Sequence, residues 1–223
     1  MSATAAARQI LTGLHELMAT RLSAQDKLDR TVQVVGEALD SEVCSIYLLR
    51  GGMLELSATR GLNQSAVHVT RMAVGEGLTG TLVANGETLN LAQAKAHPDF
   101  QYRPETGEEK FSSFAGVPIV YRERPVGALN VQHVDPRRYE DVEIEALQTT
   151  AMVLSELIVN AGLIDESSAD EAAPERSGPA QLTGLTLVAG LSSGTAVYHQ
   201  PRITIDKVVA EDTEFERQRV YRA

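Results

Sequence analysis

Scarcity frames the reading of this 223-residue chain. Its one cysteine, Cys44, excludes an internal disulfide and a multi-cysteine metal site, and predicts a reducing compartment. Tryptophan is absent and aromatic residues make up 4%, too few for a platform on which bases stack. Positive charge is in deficit, with 20 Lys and Arg against 30 Asp and Glu and a net charge of −10. Such a balance predicts neither a nucleic-acid surface nor a polybasic membrane patch. No apolar run approaches the ~18 residues of a membrane span; the stretch from Ala151 to Ile164 comes nearest and carries Ser155, Glu156 and Asn160. Met1 to Ala7 lacks the basic-then-apolar order of a signal peptide. These absences predict a soluble, cytoplasmic protein with no nucleic-acid or membrane partner. The 43% of hydrophobic residues suffices for a packed core.

The hydrophobic residues that are present change period along the chain. Ile10, Leu14, Leu17, Met18 and Leu22 recur at helical spacing, and Leu28, Val32, Val35 and Leu39 form a second stripe behind a Ser23 cap. Two helices are therefore predicted first. Val43 to Leu49 and the alternating Leu54, Leu56 and Ala58 read as a hairpin around Gly51-Gly52 with one half-buried face. Val67 to Val74 reads as a third strand, and Gly75 to Gly80 feeds a short helix that Asn85-Gly86 ends. Thr88 to Leu91 is a short strand. A second hairpin joins Phe114–Tyr121 to Val126–Val134, with Pro118 marking an edge or a bulge. Asp135-Pro136 is expected to open a long helix with Ile144, Leu147, Ala151, Leu154 and Ile158 on one stripe. The fold class that follows is α+β, an antiparallel β-sheet with helices from both termini packed on one face. Residues 1–165 form that domain. Residues 166–180, rich in Ala, Ser, Pro, Gly and acidic side chains, are a flexible linker, and residues 181–223 begin a further region that is incomplete.

Most motifs resolve to structure rather than chemistry. Gly75-x-Gly77-x-x-Gly80 has the dinucleotide spacing, but its helix stops after roughly two turns and no βαβ series follows. It reads as a glycine turn. Cys44 lies in a β-rich run without basic neighbours and reads as a small core residue. The five histidines show no metal-ligand spacing, so no metal site is predicted, and no catalytic residue is assigned. The acidic pairs Glu108-Glu109 and Glu140-Asp141 read as solvated surface.

Residues 92–113 lack any sustained period, which is uncommon inside a compact domain and points to function. This stretch and its neighbours combine Asp99, Phe100, Tyr102, Arg103, Glu105, Phe111, Ser112 and Ser113. A guanidinium, carboxylates, aromatic walls and hydroxyls are the groups a small zwitterion requires. Tyr47 and Gln132 alternate with apolar neighbours on their strands, and spacing leaves open which set would floor a pocket.

The stretch from Ser23 to Ile158 resembles a GAF domain, a small-molecule sensor module. The resemblance rests on Gly75-Glu76-Gly77-Leu78-Thr79-Gly80, Asn90-Leu91 with Ala96-His97-Pro98-Asp99-Phe100, Ser112 to Ile119, and Arg124 to Val131 before the closing helix. No Asn-Lys-x-x-x-Phe-Asp-Glu signature is present, which argues against cyclic nucleotides. No cysteine lies in the 92–113 loop, which argues against bilin attachment and thiol-based sulfoxide reduction. Further on, Gly184 to Ala196 and Val208 to Arg219 resemble the opening of enzyme I of the phosphotransferase system, with Ser193 where that opening carries proline. Together these are similar to the family of nitrogen-related phosphoenolpyruvate–protein phosphotransferases.

That resemblance implies a regulatory sensor whose ligand is glutamine or another amino acid. It implies control of autophosphorylation in the nitrogen phosphotransferase system, with no chemistry in this chain. The family's phosphohistidine motif is missing, and His199 does not match it. No cofactor is expected here, although magnesium is expected for the full-length parent, whose remaining part would engage a phosphocarrier protein. The expected ligand set is Arg103 for the α-carboxylate, Asp99 or Glu105 for the ammonium, and Ser112 or Ser113 for the amide, with Phe100, Tyr102, Tyr47 and Gln132 around them. A homodimer through the two terminal helices is expected, because Val153, Leu157 and Ile164 extend their apolar surface. The alternative is a GAF module serving dimerisation or protein interaction without a ligand.

Overall fold

A computed structural model describes residues 2–164. The expectations for residues 165–223, including the linker and the region after it, lie outside the described residues. Helix α1 (Ala3–Met18) starts at Ser2, whose hydroxyl accepts the Ala5 N–H. Leu22, expected on the same stripe, lies beyond its end and is 37% exposed. Helix α2 (Ala24–Ala38) starts at Ser23, which accepts the Asp26 N–H at 3.1 Å. This is the cap that the sequence marks.

Six antiparallel strands follow: β1 (Val43–Arg50), β2 (Met53–Arg60), β3 (Arg71–Ala73), β4 (Leu89–Leu91), β5 (Ser113–Tyr121) and β6 (Arg124–His133). Their order across the sheet is β3-β2-β1-β6-β5-β4. Helix α3 (Gly77–Asn85) lies between β3 and β4, and helix α4 (Asp141–Asn160) closes the domain. Both faces of the sheet are covered, so β1 is buried at seven consecutive positions instead of on one half-buried face. One face, with Cys44, Ile46, Leu48, Ala115, Val117, Leu129 and Val131, packs against α1, α2 and α4. The helices from both termini thus share one side, as expected. Burial there raises the Cys44 thiol far above its ordinary value and leaves it an inert core group. The opposite face, with Tyr47, Leu54, Leu56, Phe114 and Ala128, is covered by α3 and the 92–112 segment.

Two boundaries depart from the sequence pattern. The strand expected over residues 67–74 shrinks to β3, because His68 takes a left-handed conformation (φ 63°) and Val69 is 69% exposed. Helix α4 starts six residues after Asp135, where Glu140 and Glu143 form a reciprocal capping box. Residues 136–139 stay outside the helix, where Tyr139 is clamped: its N–H donates to Asn90 Oδ1 at 3.1 Å and its carbonyl accepts from Asn90 Nδ2 at 2.8 Å. Pro118 sits at an open edge, since β4 pairs with β5 only over Phe114–Gly116.

Candidate functional site

The glycine turn shapes one wall of the site. A side chain at Gly80 would place its Cβ 2.6 Å from the Ala73 carbonyl, and Gly77 has φ 66°, so both positions require glycine. The close packing at Gly80 seats the start of α3 against β3. The first turn of α3, Gly77 to Thr79, then lines a cavity over the sheet. Helix N-termini carry unsatisfied N–H groups and favour negative charge. Thr79 is locked by its hydroxyl, which accepts from Asn130 Nδ2 at 3.0 Å.

The cavity floor is Tyr47 of β1, Phe114 of β5 and Gln132 of β6, and its outer wall is Phe100, Arg103, Glu108 and Phe111. The structure therefore decides which strand residues face it: the Tyr47 and Gln132 set, not their Cys44 and Val131 neighbours. Its interior volume is about 30 Å³, room for about two water molecules. Tyr47 is 3% exposed, and burial, then the Glu108 charge, pushes its phenol far above the ordinary value.

Arg103 is held on two sides. Its Nη2 donates to Glu76 Oε1 at 2.7 Å and its Nη1 to the Arg71 carbonyl at 3.2 Å. Glu76 precedes α3 and also accepts the Ala73 N–H at 2.8 Å, and that backbone bond, helped by Arg103, holds its carboxyl below the usual range. Glu108 faces the cavity and accepts from Gln132 Nε2 at 3.3 Å. Burial raises its carboxyl above the ordinary value, Gln132 and Arg103 acting against that rise and Glu105 with it.

Of the nine residues singled out in the sequence, Arg103, Phe100, Tyr47 and Gln132 line the cavity. The other five are not brought there. Asp99 is half-exposed beside His97, 3.8 Å from its Nδ1. Tyr102 is 47% exposed and donates to Glu109. Glu105 stays at the rim, 3.9 Å from Arg103 and 44% exposed. Ser112 points to the opposite side of the loop with Gln93, Lys95, Ala96 and Pro136. Ser113 alternates onto the helix face beside Tyr139, whose phenol burial raises to about 12.

Glu108 is the residue that sequence reasoning missed, because the pair Glu108-Glu109 read as solvated. Only Glu109 is exposed; a 3₁₀ turn over Glu108–Lys110, entered through Gly107 at φ 71°, directs Glu108 inward. Phe111, three residues on, was the available signal, since positions i and i+3 eclipse in a 3₁₀ helix.

A six-stranded antiparallel sheet with helices on one face and a small cavity under a capping loop on the other defines the class. The GAF domain model matches residues 23–158, and the chain belongs to the GAF domain family. More narrowly, its GAF domain is of the kind found in phosphoenolpyruvate–protein phosphotransferases. The Escherichia coli (strain K12) protein described as "Phosphoenolpyruvate-dependent phosphotransferase system" is 35% identical over 154 residues, 67% of this chain and 21% of that protein. The GAF domain of the Coxiella burnetii phosphoenolpyruvate-protein phosphotransferase superposes with TM-score 0.68 at 30% identity, covering 73% of this chain and 98% of that one. The GAF domain of the Acinetobacter enzyme gives 0.64 at 34% identity, covering 70% and 93%. The match spans about a fifth of the length of the curated relative.

Proposed function

We propose that this domain is the regulatory sensor of a phosphoenolpyruvate–protein phosphotransferase and that it binds a free amino acid, glutamine first, in the cavity under residues 97–111. The observation that carries this reading is a pair of opposite charges on one cavity: the Arg103 guanidinium and the Glu108 carboxylate both line its outer wall, above a floor of Tyr47, Phe114 and Gln132. An α-carboxylate takes Arg103 in a bidentate pair, next to the first-turn amides of α3. The ammonium takes Glu108, which replaces Asp99 and Glu105 in this role. Gln132 and the Tyr47 hydroxyl serve a side-chain amide, which donates and accepts.

The cavity is too small for an amino acid as it stands, so binding moves residues 97–111 outward and exchanges the Arg103–Glu76 pair for an Arg103–ligand pair. That exchange keeps the guanidinium paired, and it sets the affinity near ~1 mM, about −4 kcal/mol, rather than tight. Titration calorimetry with glutamine, glutamate and asparagine tests the reading. Heat with glutamine that disappears in Arg103→Ala and Glu108→Gln supports it. No heat at ten-millimolar-scale ligand, on the order of ten times that dissociation constant, overturns it.

The small interior favours one second reading, a GAF module whose cavity is filled by its own side chains and which serves protein interaction. Dimerisation through α1 and α4 remains part of either proposal. Leu157 and Ile164, expected to extend the contact surface, pack within the chain's own core, leaving Leu11 (42%) and Met152 (64%) as the large apolar side chains those helices expose. Light scattering at tens of micromolar decides between monomer and dimer.

The phosphotransfer itself, its magnesium and its phosphocarrier partner belong in this proposal to the remainder of the parent protein, in the cytoplasm. Among the described residues no three His, Cys, Asp or Glu side chains converge as a metal site, so none is assigned a magnesium ligand. Among them, too, no helix is long and apolar enough to cross a membrane.

A further inference from the structure

A second cluster of charge lies outside the cavity, around Glu55. This carboxylate is only 3% exposed, yet it sits on β2 beside the sheet's edge strand. Arg71 of β3, directly opposite in register, donates to Glu55 Oε2 through Nη2 at 2.6 Å and Nε at 3.1 Å. Arg50 of β1 donates to Glu55 Oε1 at 2.8 Å, and His68 Nδ1 lies 3.1 Å from the same oxygen. Two of these residues lead elsewhere. The Arg71 carbonyl is the acceptor of the cavity residue Arg103, at 3.2 Å. The Nε of Arg50 donates to the carbonyl of Leu163 at 2.8 Å, just past the end of α4. There the helix closes on Gly162 (φ 63°), with the Leu163 N–H bonded to the Ile158 carbonyl at 3.0 Å.

From these contacts we infer that Glu55 is a positioning residue that couples the cavity to the end of α4, through the series Arg103–Arg71–Glu55–Arg50–Leu163. The inference rests on the sensor reading for its purpose: Leu163 follows α4, the helix in which the family match ends at residue 158, and the proposed phosphotransfer region comes later in the sequence. The movable element is β3. It has three residues, pairs with β2 alone, and lies at an edge of the sheet. A ligand carboxylate that recruits Arg103 withdraws a donor from the Arg71 carbonyl. Release of β3 at Arg71 loosens one side of Glu55, and the guanidinium of Arg50 follows the carboxylate away from Leu163. The last turn of α4 then loses the hydrogen bond that fixes its exit.

Amide exchange of the whole chain, read at Leu163 with Leu39 at the end of α2 as internal control, tests the coupling without any ligand. Arg103→Ala is expected to speed Leu163 exchange on the order of threefold to tenfold and to leave Leu39 unchanged. Arg50→Ala is expected to speed it as well, and the double variant to match Arg50→Ala alone. Arg50→Lys, which keeps a charge for Glu55 but lacks the Nε donor, should behave as Arg50→Ala at Leu163 while melting near wild type. An unchanged Leu163 rate in Arg103→Ala, or effects that simply multiply in the double variant, overturns the inference. Glutamine supplies a separate arm. If the variants couple but glutamine leaves Leu163 unchanged in wild type, the relay stands and the sensor reading fails.

Discussion

The two faces of the sheet are equally buried and differently built. The helix face presents Ile46, Leu48, Val117, Leu129 and Val131, all fully buried and apolar, to three amphipathic helices. The other face mixes Leu54, Leu56 and Phe114 with Tyr47, Asn130 and Gln132, and is roofed by Arg103 and Glu108. Apolar packing is non-directional and is stabilised by area alone, whereas each buried polar group needs a partner in a fixed direction. A fold that needed only stability would use the first kind of face twice. The second face carries polar groups that a purely apolar packing would not include, and the proposed binding of an amino acid would use them.

The largest effect that sharpens this comparison is a truncation on the apolar side. Leu129→Ala, at 0% exposure, is expected to destabilise by about 2–5 kcal/mol, read as a fall in denaturant midpoint with unchanged slope. Truncating Arg103 to Ala should cost less than about 1 kcal/mol, because its ion pair with Glu76 is partly exposed. If Arg103→Ala destabilised as much as Leu129→Ala, the cavity face would be structural after all.

Glu55→Gln is the intermediate case, since it removes charge from a buried carboxylate with three partners. Burial alone would raise its carboxyl; the hydrogen bonds from His68 and Arg71 and the charge of Arg50 outweigh it and hold it below the ordinary value. A depressed carboxylate contributes stability above its unfolded value, and that stability is lost as pH falls through the folded one. The variant should lose about 2–3 kcal/mol at pH 7 and flatten the acid limb of a stability–pH profile. An acid limb identical to wild type would show that Glu55 is not what the pH dependence reports.

Glu108 gives the smallest effect on stability and the opposite sign. Its carboxyl is raised, so its contribution is present below the ordinary carboxylate value and is lost as pH rises through the folded one. Glu108→Gln should therefore leave the domain as stable at pH 7 or more so, within about 1 kcal/mol. Glutamine affinity should fall as the solution is acidified through that raised range, because a protonated Glu108 cannot hold an ammonium. Thermal melts and calorimetry across pH 5–8 check both directions.

The helix face was legible in the sequence because period carries direction: a residue three or four along a helix, or two along a strand, faces the same way. The stripes of α2 and α4 followed from that, while Ser23 as a cap and the Gly75–Gly80 turn were marked by residue type. The cavity wall was legible only in kind. Residues 97–111 have no period, so nothing in the spacing told Arg103, which turns inward, from Asp99 and Tyr102, which do not. Glu108 was hidden by its exposed neighbour Glu109. Ser113 was misdirected by one residue of strand alternation, which sends it to the helix face while Phe114 takes the cavity. The start of α4 was missed because a tertiary clamp, Asn90 on Tyr139, holds the chain just before the helix.

The central claim is that the polar face exists to bind an amino acid, and calorimetric titration of glutamine into wild type, Arg103→Ala and Glu108→Gln tests it most directly. The account predicts saturable heat for wild type in the millimolar range, and a loss of at least tenfold in affinity in each variant while their melting temperatures stay near wild type. Saturable binding that is the same in all three proteins would contradict the assignment of the site. Absence of heat in wild type would contradict the claim itself.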